Sequence, residues 1–213
     1  MFIDIINTSF IINSSTMKTI IFFSLAFFLC IFKANSAPGP VLDDSGKPLR
    51  SGAEYYVILT NIKNYTSTIW PVAVGNNTCP AGVVEHQTKG WVNAFTITPV
   101  DPKKGVIRLY TDVNIKFLGS TLCDESNVWK LKYDNGMKQY AVMMGGVEGN
   151  PGPETLDNWF KIDKTTDGYK FVYCPSVCSY CKVMCGDIGT TIDNNGVSRL
   201  VLGGDPIYFN FYI

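Results

Sequence analysis

Short apolar runs of four to seven residues recur from residue 38 onward, and Gly, Asn and Asp residues separate them. Alternation at the end of the chain places Ile207, Phe209, Phe211 and Ile213 on one face, as expected for a half-buried strand. An amphipathic helical pattern is not found in this part of the sequence. The pattern predicts strands at YYVIL from Tyr55, VIRLY from Val106, VWKLKY from Val128, YAVMM from Tyr140, WFKI from Trp159, YKFVY from Tyr169, RLVL from Arg199 and IYFNFYI from Ile207.

Turn sequences between these runs can supply the positive φ angles that tight hairpins need. They are Asp134-Asn135-Gly136, Asp167-Gly168 and Asn194-Asn195-Gly196. Many short strands with strong turns indicate an all-β sandwich or barrel. The strand starts at Tyr55, Val106 and Trp159 are 51 and 53 residues apart, which is compatible with a threefold barrel.

The segment 17–37 has the pattern of a secretory signal peptide. One basic residue precedes an apolar run from Thr19 to Phe32, and Ala34 and Ser36 occupy the positions that a signal peptidase reads. We therefore expect cleavage after Ser36, with residues 1–16 as an upstream extension that is removed too. The expected product is a single domain, residues 37–213, that is secreted to the apoplast or the vacuole and has no membrane attachment.

Charge and composition exclude several functions for the 177 remaining residues. They carry 16 basic and 17 acidic residues with no basic stripe, which argues against nucleic-acid binding. His86 is the one histidine, and no Ser/His/Asp arrangement with a motif context accompanies it. We expect neither an enzyme nor a bound cofactor.

Four of the seven cysteines fall between Tyr173 and Gly189 with the spacing Cys-x3-Cys-x2-Cys-x3-Cys. Such a cluster could bind zinc, exchange disulfides or form structural disulfides. The expected secretion leaves an even number of cysteines in an oxidising compartment, which favours three disulfides and no metal site. Six cysteines allow fifteen pairings, so the connectivity stays open at this point. The six are Cys79, Cys123, Cys174, Cys178, Cys181 and Cys185.

The segment VLDDSGKPLRSGAEYYV at residues 41–57 resembles the N-terminal signature of the plant Kunitz-type soybean trypsin inhibitor family. CPAGVV at Cys79, GNPGPETLDNWFKI from Gly149 and CGDIG at Cys185 extend the resemblance, which is greatest to the miraculin-like branch. It implies a disulfide-stapled β-trefoil, in which six strands close a barrel and six form a hairpin cap. The implied disulfides are Cys79–Cys123, Cys174–Cys185 and Cys178–Cys181.

The resemblance also implies a plant defence function, the inhibition of a serine protease by an exposed, pre-organised loop between the fourth and fifth strands. The matching segment runs from Thr98 to Tyr110, and either Lys103 or Lys104 would enter the specificity pocket of a trypsin-like or other secreted endopeptidase. Ser51 stands where inhibitory members carry an Asn that supports the loop. The expected reactive-loop residues are Pro102, Lys103, Lys104, Gly105 and Val106.

Two other functions remain open for such a chain. One is a non-inhibitory, miraculin-like defence protein, and the other is a carbohydrate-binding trefoil that uses Trp70 and Trp91 in loops. The histidines and the extra cysteine that the family associates with taste modification and dimers are missing, so a monomer is expected. Asn64 in Asn-Tyr-Thr and Asn76 in Asn-Asn-Thr are glycosylation acceptor sequences.

Overall fold

The computed structural model describes residues 37–60, 66–74, 79, 81–90, 92–119 and 123–213. In this part of the chain, two short 3₁₀ turns accompany the strands, and no helix is long and apolar enough to cross a membrane. The strands are β1 (Tyr55–Leu59), β2 (Thr66–Ala73), β3 (Ala81–Thr88), β4 (Ala94–Pro99), β5 (Val113–Phe117), β6 (Lys130–Asp134), β7 (Gln139–Met143), β8 (Lys161–Thr165), β9 (Gly168–Tyr173), β10 (Gly186–Ile192), β11 (Ser198–Leu202), β12 (Asp205–Pro206) and β13 (Phe209–Tyr212).

Six of these strands close a barrel. β1 pairs with β13 and β4, β4 pairs with β5, and β9 pairs with β8 and β13, all antiparallel. Val113 and Phe160 close the ring between β5 and β8, because their backbones exchange two N–H···O bonds of 2.8 and 2.9 Å. The barrel interior is mainly aromatic, and Phe95, Phe209 and Phe211 are fully buried in it.

Three hairpins cover one end of the barrel. They are β2–β3, β6–β7 and β10–β11, and each pairs with the other two through β3, β7 and β11. The approximate threefold symmetry of the fold is therefore visible in the mutual pairing of these three hairpins. A six-stranded barrel with a cap of three hairpins is a β-trefoil, which confirms the fold predicted from the sequence.

A buried arginine ties two of the cap hairpins together. Arg199 on β11 is 2% exposed, and its guanidinium nitrogens lie 3.5 Å from Oδ2 of Asp134 and 3.6 Å from Oδ2 of Asp193. The other oxygen of Asp134 accepts the N–H groups of Gly136 and Met137, and Asp193 accepts those of two residues in its own turn. Each aspartate thus shapes a hairpin turn and faces the same cation.

Most predicted strands coincide with observed ones, with two corrections. Residues 106–110 are not a strand; Val106 and Arg108 instead make isolated bridges to Arg50 and Pro40, so this segment pairs with residues 38–51, the N-terminal arm. Val106 therefore does not begin a repeat unit. At the chain end β13 stops at Tyr212, and Ile213 is 75% exposed rather than on the buried face.

Candidate functional site

The predicted reactive loop connects β4 to β5 and lies at the surface. Pro102, Lys103 and Lys104 are exposed and form one turn of 3₁₀ helix, while Gly105 and Val106 are partly buried. The loop therefore has the position between the fourth and fifth strands that the family resemblance implies, with its lysines accessible to a partner.

Proline and glycine define the ends of this turn. Pro102 occupies its first position, where a missing N–H is tolerated and φ is already helical. Gly105 follows with φ +65°, and its N–H donates to the Pro102 carbonyl at 3.2 Å. A residue with a Cβ would be strained in this left-handed conformation, so glycine suits the position.

The two lysines of the turn have different surroundings. Lys104 Nζ lies 3.6 Å from Oδ2 of Asp101, three residues earlier; the Lys104 side chain is largely exposed and that of Asp101 is about half exposed. A pair of this kind contributes little to stability, but it biases the Lys104 side chain back along the loop. Lys103 has no ion pair or hydrogen bond from its side chain within the described residues, so it is the lysine free to contact a partner.

The N-terminal arm supports the loop through backbone hydrogen bonds. Ser51 N–H donates to the Gly105 carbonyl at 3.0 Å, and Ile107 N–H donates to the Leu49 carbonyl at 3.0 Å. The Ser51 hydroxyl makes no hydrogen bond to any residue that the structure describes. At this position, where inhibitory members carry an Asn, the loop is thus supported by the Ser51 backbone N–H, which any residue except proline could supply.

The turn is anchored, but its backbone is helical. A protease cleft takes its substrate as an extended segment that pairs with the edge of the enzyme like an added strand. Residues 102–104 do not have this conformation, so a substrate-like contact at Lys103 would require the turn to open. The expectation of a pre-organised loop therefore applies to its two ends and not to its apex.

The other end of the loop is fixed to the barrel. Tyr110 has φ +57°, and its N–H donates to the Ile162 carbonyl at 3.0 Å. The nearby carboxylate of Asp163 raises the pKa of the Tyr110 phenol above its usual value. The loop is consequently held from both sides.

The cysteine cluster forms a second constrained loop. The disulfides are Cys174–Cys185 and Cys178–Cys181 in the cluster, with Cys79–Cys123 elsewhere, the three pairs that the family resemblance implies. Within this loop, Ser176 donates to the carboxylate of Asp112, just before β5. No pattern in the sequence indicates this contact, because 64 residues separate the two side chains.

The remaining candidates fall in different places. Trp70 is half-buried on β2, with its ring centroid 5.5 Å from that of His86 on β3, so it belongs to a strand surface and not to a loop. Trp91, the acceptors Asn64 and Asn76, and the expected signal segment lie outside the described residues. Among the described residues, no group of three His, Cys, Asp or Glu side chains could hold a metal ion.

Comparisons with known proteins agree with this geometry. The family model described as "Trypsin and protease inhibitor" matches residues 41–212. The chain is 40% identical to miraculin from Synsepalum dulcificum, over 92% of this chain and 97% of miraculin. A Kunitz-type cysteine protease inhibitor from potato has a similar structure, with a TM-score of 0.68 and 33% identity over 82% of this chain and 97% of its own.

A second solved structure is a complex of porcine pancreatic trypsin with soybean trypsin inhibitor. The match has a TM-score of 0.64 and 27% identity, and it covers 82% of this chain and 98% of the matched chain. Relatives of this fold thus include inhibitors of two protease classes.

Proposed function

Because this chain belongs to the plant Kunitz family of trypsin and protease inhibitors, we propose that it is a secreted endopeptidase inhibitor directed at trypsin-like serine proteases. It is not an enzyme, since members of this family are non-enzymatic. The three disulfides support secretion, because such bonds persist in oxidising compartments.

The position of Lys103 is the observation that carries this proposal. Its side chain is exposed at the apex of an anchored turn and has no competing partner among the described residues. A lysine ammonium fits the buried carboxylate at the base of a trypsin-like specificity pocket. Lys104 is the less suitable of the two lysines, because its ammonium faces Asp101.

Binding at Lys103 requires the 3₁₀ turn to open into an extended segment. Opening breaks the hydrogen bonds from Lys104 N–H to the Asp101 carbonyl and from Gly105 N–H to the Pro102 carbonyl, both 3.2 Å long. Each is worth about 1 kcal/mol, a small cost beside the free energy of a tight complex. The anchored ends limit how far the loop must reorganise.

The test is a titration of the purified protein against trypsin, chymotrypsin and a papain-type protease. We expect inhibition of trypsin, together with slow cleavage of the Lys103–Lys104 bond in the complex. The Cys79–Cys123 disulfide spans this bond, so the cleaved chain should stay in one piece until it is reduced. Gels run with and without reductant, followed by peptide mapping, show the cut.

Lys103→Ala should abolish that cut, whereas Lys89→Ala, at an exposed position after β3, should leave it unchanged. If no protease is inhibited at micromolar protein, the proposed function is wrong. If trypsin is inhibited but the chain is never cut after Lys103, even when complexes are kept for days, the inhibitory contact lies on another surface.

A further inference from the structure

The segment from Tyr180 to Met184 presents alternate side chains to solvent. Tyr180 is 81% exposed, Met184 is 44% exposed and Lys182 is also exposed, whereas Cys181 and Val183 between them are partly buried. Exposure with a period of two is the pattern of an extended chain, in which successive side chains point in opposite directions.

From Cys181 onward the backbone of this segment agrees with the exposure pattern, whereas Ser179 and Tyr180 form a bend. Residues 181–185 contain no helix, turn or bend, and β10 begins directly after them at Gly186, opposite Tyr173. Together with the alternating exposure, this absence of a helical turn points to an extended segment of the kind that a protease cleft accepts, in contrast to the 3₁₀ turn at residues 102–104.

Covalent bonds hold this segment at both ends. Cys181 is joined to Cys178 on its N-terminal side, and Cys185 is joined to Cys174 across the whole loop. The Ser176 hydroxyl also fixes the loop to Asp112 with a 2.8 Å hydrogen bond. A segment ordered in this way loses little conformational entropy when it binds, so more of the contact energy appears as affinity.

We propose that Tyr180–Cys185 is a second protease-binding segment, in which Lys182 enters the specificity pocket of a trypsin-like endopeptidase. In an extended segment Met184 lies on the same side as Lys182, and Met184 and the exposed Tyr180 contact the enzyme beside the pocket. This second site rests on the proposed inhibitory function, but it does not depend on the turn at Lys103.

The disulfides also favour inhibition over digestion at this segment. Hydrolysis of the Lys182–Val183 bond consumes one water and leaves a carboxylate on Lys182 and an amine on Val183. The Cys174–Cys185 disulfide spans the cut, with a sequence separation of 11 residues, so the new ends stay close together. Re-formation of the peptide bond, with release of that water, is then an intramolecular step with a high effective concentration.

Four proteins test the proposal: the intact protein, Lys103→Ala, Lys182→Ala and the double variant, each titrated against trypsin. Each complex is also mapped for cleavage after residues 103 and 182. Because the Lys182 segment is already extended, Lys182→Ala should raise the inhibition constant about tenfold and Lys103→Ala by about threefold or less. The inhibition constant of the double variant should rise about 100-fold or more, as expected when both central contacts are removed. Lys89→Ala is the matched surface control.

The outcomes separate this proposal from the proposed function. If Lys103→Ala abolishes inhibition while Lys182→Ala inhibits like the intact protein, and the intact protein is never cut after residue 182, the second site is wrong and the first stands. If Lys182→Ala abolishes inhibition while Lys103→Ala has no effect, the second site stands and the Lys103 contact is wrong. An unchanged inhibition constant in the double variant overturns both. Near-UV circular dichroism and a thiol count check that each variant is folded with its disulfides formed.

Discussion

The carboxylate of Asp112 accepts the hydroxyl of Ser176 at 2.8 Å and its backbone N–H at 3.1 Å, although 64 residues separate them. The backbone carbonyl of Asp112 also accepts the N–H of Val100 at 2.9 Å, at the start of the loop that carries Lys103. A single nearly buried residue therefore contacts the bases of both proposed protease-binding segments.

Replacing the Asp112 carboxylate should lower the stability of the folded protein. Asp112→Asn removes the charge that Ser176 and the Lys161 ammonium, 3.7 Å away, both face. We expect a loss of about 1–3 kcal/mol in the free energy of unfolding, the usual cost of disturbing a buried charged acceptor. Urea unfolding followed by tryptophan fluorescence measures it. Ser179→Ala, an exposed position in the same loop, should change the free energy by less than about 0.5 kcal/mol, and equal losses in the two variants would contradict the proposed role of Asp112.

Replacing Arg199, the buried arginine of the hairpin cap, should destabilise the protein more than Asp112→Asn does. Arg199→Met leaves the Asp134 and Asp193 carboxylates without the cation that both face, a change that typically costs about 3–5 kcal/mol when the pair is buried. Arg108→Ala, which removes an exposed hydrogen bond to the Pro38 carbonyl, should cost less than about 1 kcal/mol.

A compensating variant tests the cause of that loss. Arg199→Met combined with Asp134→Asn and Asp193→Asn removes the unpaired charges and keeps the turn-forming acceptor oxygens. It should recover part of the stability in a thermal melt. If the triple variant melts below the single one, the damage comes from lost packing and not from unpaired charge.

The sequence predicted many of the strands where a short apolar or aromatic run is bounded by a turn signal. YYVIL from Tyr55 coincides with β1, and the three Gly-containing turns lie between paired strands. β2 had no such signal, because Ser67 and Thr68 are both buried and interrupt the alternation. The Thr68 hydroxyl is satisfied by the Val57 carbonyl at 2.7 Å, a contact that local sequence does not reveal.

The position of the candidate loop was predictable from the sequence, but its conformation was not. The family resemblance located Lys103 between the fourth and fifth strands, and the Pro102 and Gly105 positions are consistent with a short helical turn. The support of that turn by Ser51 through its backbone depends on how the N-terminal arm packs. Such packing is a property of the whole fold and has no local pattern.

The two longer disulfide loops should differ in their contribution to stability. Replacing both Cys79 and Cys123 by Ser opens a loop with a sequence separation of 44, and the chain-entropy relation gives a loss of about 4 kcal/mol. Replacing Cys174 and Cys185 opens a separation of 11 and should cost about 3 kcal/mol. Urea unfolding of both double variants measures these losses. A larger loss for the Cys174/Cys185 pair would show that native contacts within the loop, and not chain entropy, dominate.

Alkaline pH should destabilise the protein through Tyr173. This side chain on β9 is 5% exposed, and burial, with smaller effects of Asp157 and Tyr140, raises its pKa from 10.0 to about 12. Below pH 10 the phenol is protonated in both the folded and the unfolded chain, so the stabilisation is fully present. Between about pH 10 and 12 the phenol of the unfolded chain ionises first, which lowers the free energy of the unfolded state. The free energy of unfolding should therefore fall by about 2–3 kcal/mol.

Urea titrations between pH 9 and 11.5 measure this slope. Tyr173→Phe removes the ionising group and keeps the ring that packs 5.8 Å from Phe160, so its stability should fall less over the same range. Tyr180→Phe, at a position 81% exposed, controls for the loss of a tyrosine hydroxyl from the surface and should keep the slope of the intact protein. If Tyr173→Phe loses stability as steeply as the intact protein, the alkaline transition belongs to other groups, because the phenol at position 173 is then absent and the slope unchanged.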